Sequence, residues 1–407
     1  MSDVKCVPEL RFPEFSENWG FKSLEELSAE KFSNGVFNDP KKVGKGYRLI
    51  NVKDMFDGDA VQVKNLTLID LQAKEFNKNK VEYGDVFFTR SSLVADGIAV
   101  SNVCLSHDDD ITFDGHLVKM RPDLNILNPV FLGLSLKTAY LRKQLIVRGK
   151  TTTMTTIGQE DIKTVNLPYP KQNEQQKIAD FLSVVDKKIE LLDQKVQALT
   201  DYKKGVMQQL FTQQIRFKDN QGNDYPEWEL KQIGSVFEQR TEKYEEGLEL
   251  LSVTMNSGVK KRSEIDAKDN SSNNKANYKK VCTGDIVYNS MRMWQGASGV
   301  SIYEGVVSPA YTVLESNKQN ISEFFGYYFK TTKMIQTFQR NSQGLTSDTW
   351  NLKYKPLSKI KIMVPIREEQ QKIADFLTAI DQKIQQTQTT LNQTQAFKKG
   401  LLQKMFV

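Results

Sequence analysis

Few residues of this chain are spaced for catalysis. Its two histidines, His107 and His116, and its three cysteines, Cys6, Cys104 and Cys282, are scattered, with no CxxC or HxxxH spacing. That pattern argues against a structural zinc site and against a disulfide framework. A phosphate loop needs GxxxxGK[ST], and Gly44-Lys45-Gly46 matches only a fragment of it. No GxSxG nucleophile elbow is present. Asn128-Pro129-Val130 lacks the second proline and the aromatic residue of the Asn-Pro-Pro-Phe/Tyr motif of amino-methyltransferases. His116, in GHLVKM, reads as a half-buried strand histidine rather than a base. Asp85 and Asp285 each follow a glycine at a strand start, which is a turn pattern. Asp108-Asp109-Asp110 reads as a solvated loop. No catalytic set and no metal set emerges, which points to a binding protein.

The chemistry that remains suits an anionic polymer. From Leu124 to Gln159 there is no acid, while Lys137, Arg142, Lys143, Arg148 and Lys150 are present. From Phe324 to Ser347 there is again no acid, with Lys330, Lys333 and Arg340. Each window leads into a polar loop, Gly149–Thr156 in the first and Asn341–Ser347 in the second. Short hydroxyl and amide side chains beside backbone N–H groups suit phosphate and base-edge contacts. The net charge of +6 is mild, so these local patterns say more than the total.

Length and composition bound the rest. The chain has 407 residues, 39% hydrophobic and 26% charged, a globular composition with room for two or three domains of about 150 residues. No run of 18 apolar residues offers a membrane span. The opening MSDVKCVPELRF lacks a basic start followed by an apolar run, so no secretory signal is expected. Sparse, unpaired cysteines suit a reducing cytoplasm.

An internal repeat organises the chain. EQQKIADFL occurs at Glu174–Leu182 and again at Glu369–Leu377, an offset of 195 residues. From Glu174 to Phe211, 17 of 38 positions are identical to their partners at that offset. Weaker matches surround this core. Arg11-Phe12 with Trp19 resembles Arg216-Phe217 with Trp228, and Gly84-Asp85 resembles Gly284-Asp285. The repeated segment predicts a long helix. Its apolar residues Ile178, Leu182, Val185, Ile189, Leu192, Val196 and Leu199 follow 4-3 spacings, a heptad seam. The second copy places Ile373, Leu377, Ile380, Ile384 and Leu391 on the same register. About 40 residues give roughly 60 Å of helix. Thr387 and Thr394 weaken the second seam, and Lys203 and Lys398 sit on seam positions. A seam lysine either fixes register or snorkels near a fraying end.

The intervening segments mix strand signals with one helix pattern each, NPVFLGLSLKTAYLRKQLIVRG and ISEFFGYYFKTTKMIQTFQRN. The expected fold is α+β. Two mixed α/β domains, residues 1–168 and 215–364, alternate with long helices in 169–214 and 365–407. Helices that bury the same seam against each other form an isologous, antiparallel pair with pseudo-two-fold symmetry.

The duplicated EQQKIADFL helices, the LPYP and MVPI lead-ins, the LRFPEF…W opening and the GDVFFTR and GDIVYNS strands resemble the specificity subunit of type I restriction–modification systems. YNSMRMWQGASGVSIYEGVVSPAY resembles one recurrent class of recognition domain in that family. The resemblance spans essentially the whole chain. It implies two target-recognition domains that each read half of a bipartite, asymmetric site in double-stranded DNA. It implies an antiparallel coiled coil that acts as spacer and as docking site for two methyltransferase (M) subunits. Two motor-nuclease (R) subunits complete the complex. S-adenosylmethionine, ATP and Mg²⁺ are then expected on the partners, and no cofactor on this non-catalytic cytoplasmic chain. Position and side-chain chemistry then nominate the DNA contacts. In the first domain these are Arg90, Ser91 and Ser92, with Lys150, Thr151, Thr152, Thr153 and Thr155. In the second they are Asn289, Ser290, Arg292, Ser308, Gln343, Thr346 and Ser347. Arg90 and Arg292 are the preferred base readers, since arginine pairs bidentately with guanine. Lys137, Arg142, Lys143, Lys330, Lys333 and Arg340 are the expected phosphate clamps. Two other classes remain: a coiled-coil scaffold without DNA binding, and an enzyme with a cryptic nuclease or methyltransferase site.

Overall fold

The computed structural model describes residues 7–243, 247–255, 258–265, 275–317, 319–346 and 349–407. The chain forms two compact units, Met1–Leu192 with Thr390–Val407, and Asp193–Thr389. The boundary cuts across both long helices, Gln172–Phe211 and Arg367–Lys404. Each unit therefore holds one mixed domain and part of each helix. The helices are α-helical over their whole length, in agreement with the heptad reading.

The first unit is built on a four-stranded antiparallel sheet in the order Ser33–Asn34, Leu117–Met120, Val86–Thr89, Ser101–Val103. The strand Val86–Thr89 is buried throughout because both faces are covered. Val86 and Phe88 point into the cluster with Leu132, Leu141 and Leu145 from the helices Pro129–Ser135 and Ala139–Arg148. Phe87 points the other way, into the cluster with Ile111, Phe113 and Leu117. The second unit repeats this plan, with Phe237–Gln239, Tyr311–Ser316, Ile286–Asn289 and Ser298–Val300. Ile286, Tyr288 and Leu314 share a cluster with Phe325, Met334 and Phe338, while Val287 and Val313 face the opposite side.

The glycine–aspartate pairs are structural. Gly84 and Gly284 adopt φ of 93° and 89°, a left-handed turn open to glycine. The following carboxylates are buried. Asp85 takes Arg121 Nε at 2.8 Å, and Asp285 takes Arg240 Nε at 2.7 Å. Asn128, with the proline after it, caps the helix that begins at Pro129, accepting from Phe131 N at 3.0 Å. The acid run 108–110 holds Arg48 and Lys80.

Each long helix begins on a buried carboxylate. Glu174 receives Arg11 Nε and Nη2, both at 2.7 Å, and Trp19 Nε1 at 3.2 Å. Glu369 receives Arg216 Nη2 at 2.8 Å and Trp228 Nε1 at 3.1 Å. The weakly repeated Arg-Phe…Trp segments thus exist to meet the strongly repeated glutamate. The next residue ties the helix to its domain. Gln175 bonds Asn128 N, Ile126 O and Pro170 O, and Gln370 bonds Ile321 N, Asn320 Oδ1 and Pro365 O.

Within the first unit Ile178, Leu182 and Val185 pack with Leu401, Met405 and Phe406. Within the second, Val206, Leu210 and Phe211 pack in one cluster with Ile373, Leu377 and Ile380. In both, an early seam meets a late one, so the helices run antiparallel. Ile189, Leu192, Val196, Leu199 and Ile384 are half-buried, and Leu391 is buried. Thr387 and Thr394 are buried and return their hydroxyls to Lys383 O and Thr390 O. The seam lysines do not snorkel. Lys203 pairs with Asp381 at 2.6 Å, and Lys398 pairs with Asp186. The second pair is the first with the repeats exchanged, as isologous packing requires.

Truncating a buried partner leaves an uncompensated charge and costs about 3–5 kcal/mol. Glu369→Ala is expected to destabilise the second unit by that much, read as a lower urea midpoint, and to leave the first unit's transition in place. Glu174→Ala should do the reverse. Tryptophan fluorescence and limited proteolysis during urea unfolding distinguish the two.

Candidate nucleic-acid interface

In the first unit the fold gathers two segments that are far apart in sequence. Ser91–Ser92 pairs with Thr155–Thr156, which pairs in turn with Lys150–Thr151. Arg90 is exposed beside this small sheet, with Nη1 3.2 Å from Gly115 O. Thr151, Thr152 and Thr153 are exposed at the hairpin. Thr155 is buried, its hydroxyl 3.0 Å from that of Thr151, so it supports the hairpin instead of reaching outward. Lys150 is exposed and pairs with Asp161 at 3.2 Å.

The basic helix divides into two roles. Lys143 is exposed and has no bonded partner among the described residues. Arg142 turns inward, donating to the carbonyls of Ala99, Asp96 and Ile98. Lys137 bonds Gly58 O at 3.0 Å and Asp59 at 2.8 Å. Both were expected as phosphate clamps, but in this structure their donors are spent on their own domain. For Arg142 the reason is helix phase, while Lys137 lies in the turn between the helices Pro129–Ser135 and Ala139–Arg148. Arg142 lies one position from buried Leu141, whereas Lys143 shares the outer face with Val147.

In the second unit Arg292 is exposed, Nη1 3.2 Å from Gln295 Oε1. Asn289 and Ser308 are half-buried and brace their own turns, accepting from Met291 N and Ala310 N. Ser290 is buried and donates to Ala310 O at 2.6 Å, a structural use. Lys333 and Arg340 are exposed on one helix face, seven residues apart. Lys330, equivalent to Lys137 in the Lys-Thr step between helices, again turns inward, onto Met255 O and Gly296 O. Gln343 bridges to Asn351, and Thr346 caps a turn closed by Thr349. Ser347 lies outside the described residues.

Sequence reasoning missed a group of lysines here. Lys353, Lys355 and Lys359 line a cleft of about 740 Å³ together with Asn341, Gln343 and Asn351. Lys353, Lys355 and Asn351 also border an adjoining cleft of about 540 Å³, with Lys279 and Ser290. No carboxylate among the described residues pairs with Lys353, Lys355 or Lys359. The signal was present as the acid-free run from Thr349 to Arg367, which Asp348 alone separates from the Phe324–Ser347 window. Among the described residues no group of three or more His, Cys, Asp or Glu is arranged to hold a metal.

Burial pushes the Lys330 ammonium down to about 8, and the charge of Lys203 adds to the shift. In the unfolded chain this lysine holds its proton to about pH 10.4. Between about pH 8 and 10 the unfolded state therefore binds more protons than the folded one, so this group makes stability rise with pH there. Lys330→Met is expected to remove that rise. The comparison of parent and variant urea midpoints across the window checks it.

A family model described as Type I restriction modification DNA specificity domain matches residues 16–201 and again 225–395. A Methanocaldococcus jannaschii protein named as the type I restriction enzyme MjaX specificity subunit is 23% identical over 410 residues, covering 96% of this chain and 93% of that one. The crystal structure of the S subunit of a type I restriction–modification system from M. genitalium superposes with a TM-score of 0.60 at 16% identity, covering 98% and 99% of the two chains. A chain from a structure concerned with complex assembly and conformational transition of the type I R-M system gives 0.52 at 13% identity, covering 97% and 98%.

Proposed function

From its membership of the family of type I restriction–modification DNA specificity domains, which this chain carries in two copies, we propose that it selects the DNA site for a type I complex by reading a bipartite, asymmetric target. Each domain reads one half. The observation that carries this reading is a duplicated frame with unlike surfaces. The helix starts are anchored alike by Glu174 and Glu369. The exposed residues at the sheet ends differ, Arg90 in one unit and Arg292 with the lysine-lined clefts in the other.

The helices supply a docking face. Gln176 pairs with Asp180 at 2.7 Å and Gln371 with Asp375 at 2.8 Å. Both aspartates are exposed, so packing does not explain their identity in the two repeats. A partner bound twice does, and two M subunits fit that role. S-adenosylmethionine, ATP and Mg²⁺ belong to the M and R partners, and this chain is the non-catalytic member. The helix pair also serves as spacer between the half-sites.

Methylome mapping of cells with and without the complete system tests this directly. The expected motif is non-palindromic, with two short half-sites and an unspecified gap. A palindromic motif dependent on this chain would overturn it. Exchanging residues 1–165 for another recognition domain should alter one half-site only. Matched one-heptad insertions near Lys195 and Thr390 should lengthen the gap and leave both half-sites unchanged.

Readers and clamps separate by salt. Arg90→Ala or Arg292→Ala should cost roughly 1–3 kcal/mol and relax one position. Lys143→Ala, Lys333→Ala or Lys355→Ala should weaken all sequences alike and flatten the salt dependence. Binding titrations of the assembled complex at several salt concentrations measure both.

A further inference from the structure

The two units share a backbone frame at the end of the central strand and differ in what it carries. In the first, Arg90 N donates to His116 O at 3.2 Å, and Ile157 N donates to Arg90 O at 3.0 Å. In the second, Ser290 N donates to Ala310 O at 3.2 Å, and Leu352 N donates to Ser290 O at 2.8 Å. His116 thus occupies the place of Ala310. Both are exposed, so core packing does not dictate either.

His116 is not the half-buried strand residue its neighbours suggest. Its side chain is 67% exposed, because it stands one residue before the buried strand Leu117–Met120. It is nevertheless held. Nδ1 lies 2.7 Å from Oδ1 of Asp114, whose side chain is 5% exposed. The same carboxylate accepts His116 N at 2.7 Å and Asn38 Nδ2 at 3.0 Å. A carboxylate only accepts, so Nδ1 carries a proton, and in the neutral imidazole Nε2 is left as an acceptor. Nε2 has no partner among the described residues. An oriented acceptor therefore stands beside the oriented donor Arg90.

We propose that His116 is a second specificity-determining residue of the first domain, positioned by Asp114, and that its Nε2 accepts from the exocyclic amino group of a cytosine or adenine in the major groove. This rests on the DNA-reading function proposed above. A donor and an acceptor side by side distinguish base pairs that either alone confuses, since each major-groove edge carries its own donor–acceptor pattern.

The test is the methylation motif of cells carrying the complete system with the parent chain, His116→Ala, His116→Gln or Asp114→Asn. His116→Ala should relax one position of the first half-site. His116→Gln should shift that same position towards adenine, which glutamine pairs bidentately. Asp114→Asn should relax the same position in part. The second half-site should stay as in the parent throughout. A parent motif without two parts would overturn the DNA reading itself. A two-part parent motif with a first half-site indifferent to both His116 variants would overturn this inference and leave that reading standing. Equal loss of methylation at all sites in both His116 variants would assign the residue to folding and overturn it as well.

Discussion

A carboxylate buried at the start of a helix governs how each unit is assembled. Glu174 and Glu369 are nearly inaccessible to water. An ionised carboxyl there is untenable without compensation, because desolvation costs several kcal/mol even after relaxation. The compensation arrives from outside the helix, as one guanidinium and one indole N–H in each unit. Those two donors lie on the segment that enters the domain, so the ion pair cannot form until domain and helix meet. The neighbouring glutamine extends the same logic, satisfying backbone groups where the domain's own helix begins. Helix and domain therefore order one another.

The seam lysines act at a second level. An apolar heptad seam alone tolerates either orientation and several registers. Lys203 and Lys398 each meet an aspartate contributed by the other helix, and Lys203 also lies over the Tyr327 ring, 4.9 Å from its centroid. A parallel pairing, or one slipped by a turn, would strand these charges. Lys398 is also joined by Asp59 from the domain, which ties register to the domain's position within its unit.

The repeat, the helices and their pairing were legible in the sequence, because nine identical residues in a row and a heptad pattern survive any rearrangement of loops. The direction of single cations was not. An acid-free window reports charge along the chain, whereas Arg142, Lys137 and Lys330 point to carbonyls or carboxylates that only the fold brings near. Helix phase carried part of this information, since Met334 and Phe338 are buried and place Lys333 and Arg340 outside. His116 was hidden by the apolar strand after it. Lys353, Lys355 and Lys359 were hidden because Asp348 ends the acid-free run in the sequence, whereas the fold gathers them with Asn341, Gln343 and Asn351.

The glycine–aspartate turns show why such surfaces can diverge without loss of fold. Asp85 and Asp285 stand at equivalent turns, and both are buried and paired with arginine. The arginines are not equivalent. Arg121 follows the strand beside the central one, while Arg240 follows the edge strand beyond it. What the frame requires is a guanidinium at that carboxylate, from whichever strand can supply it. The frame is held by buried charges and by backbone hydrogen bonds at the strand end. On that end Arg90, His116 and Ala310 are exposed and Ser290 is buried; beyond the serine hydroxyl on Ala310 O, only Arg90 on Gly115 O and His116 on Asp114 touch the frame. Core packing leaves the three exposed positions free to differ between the units.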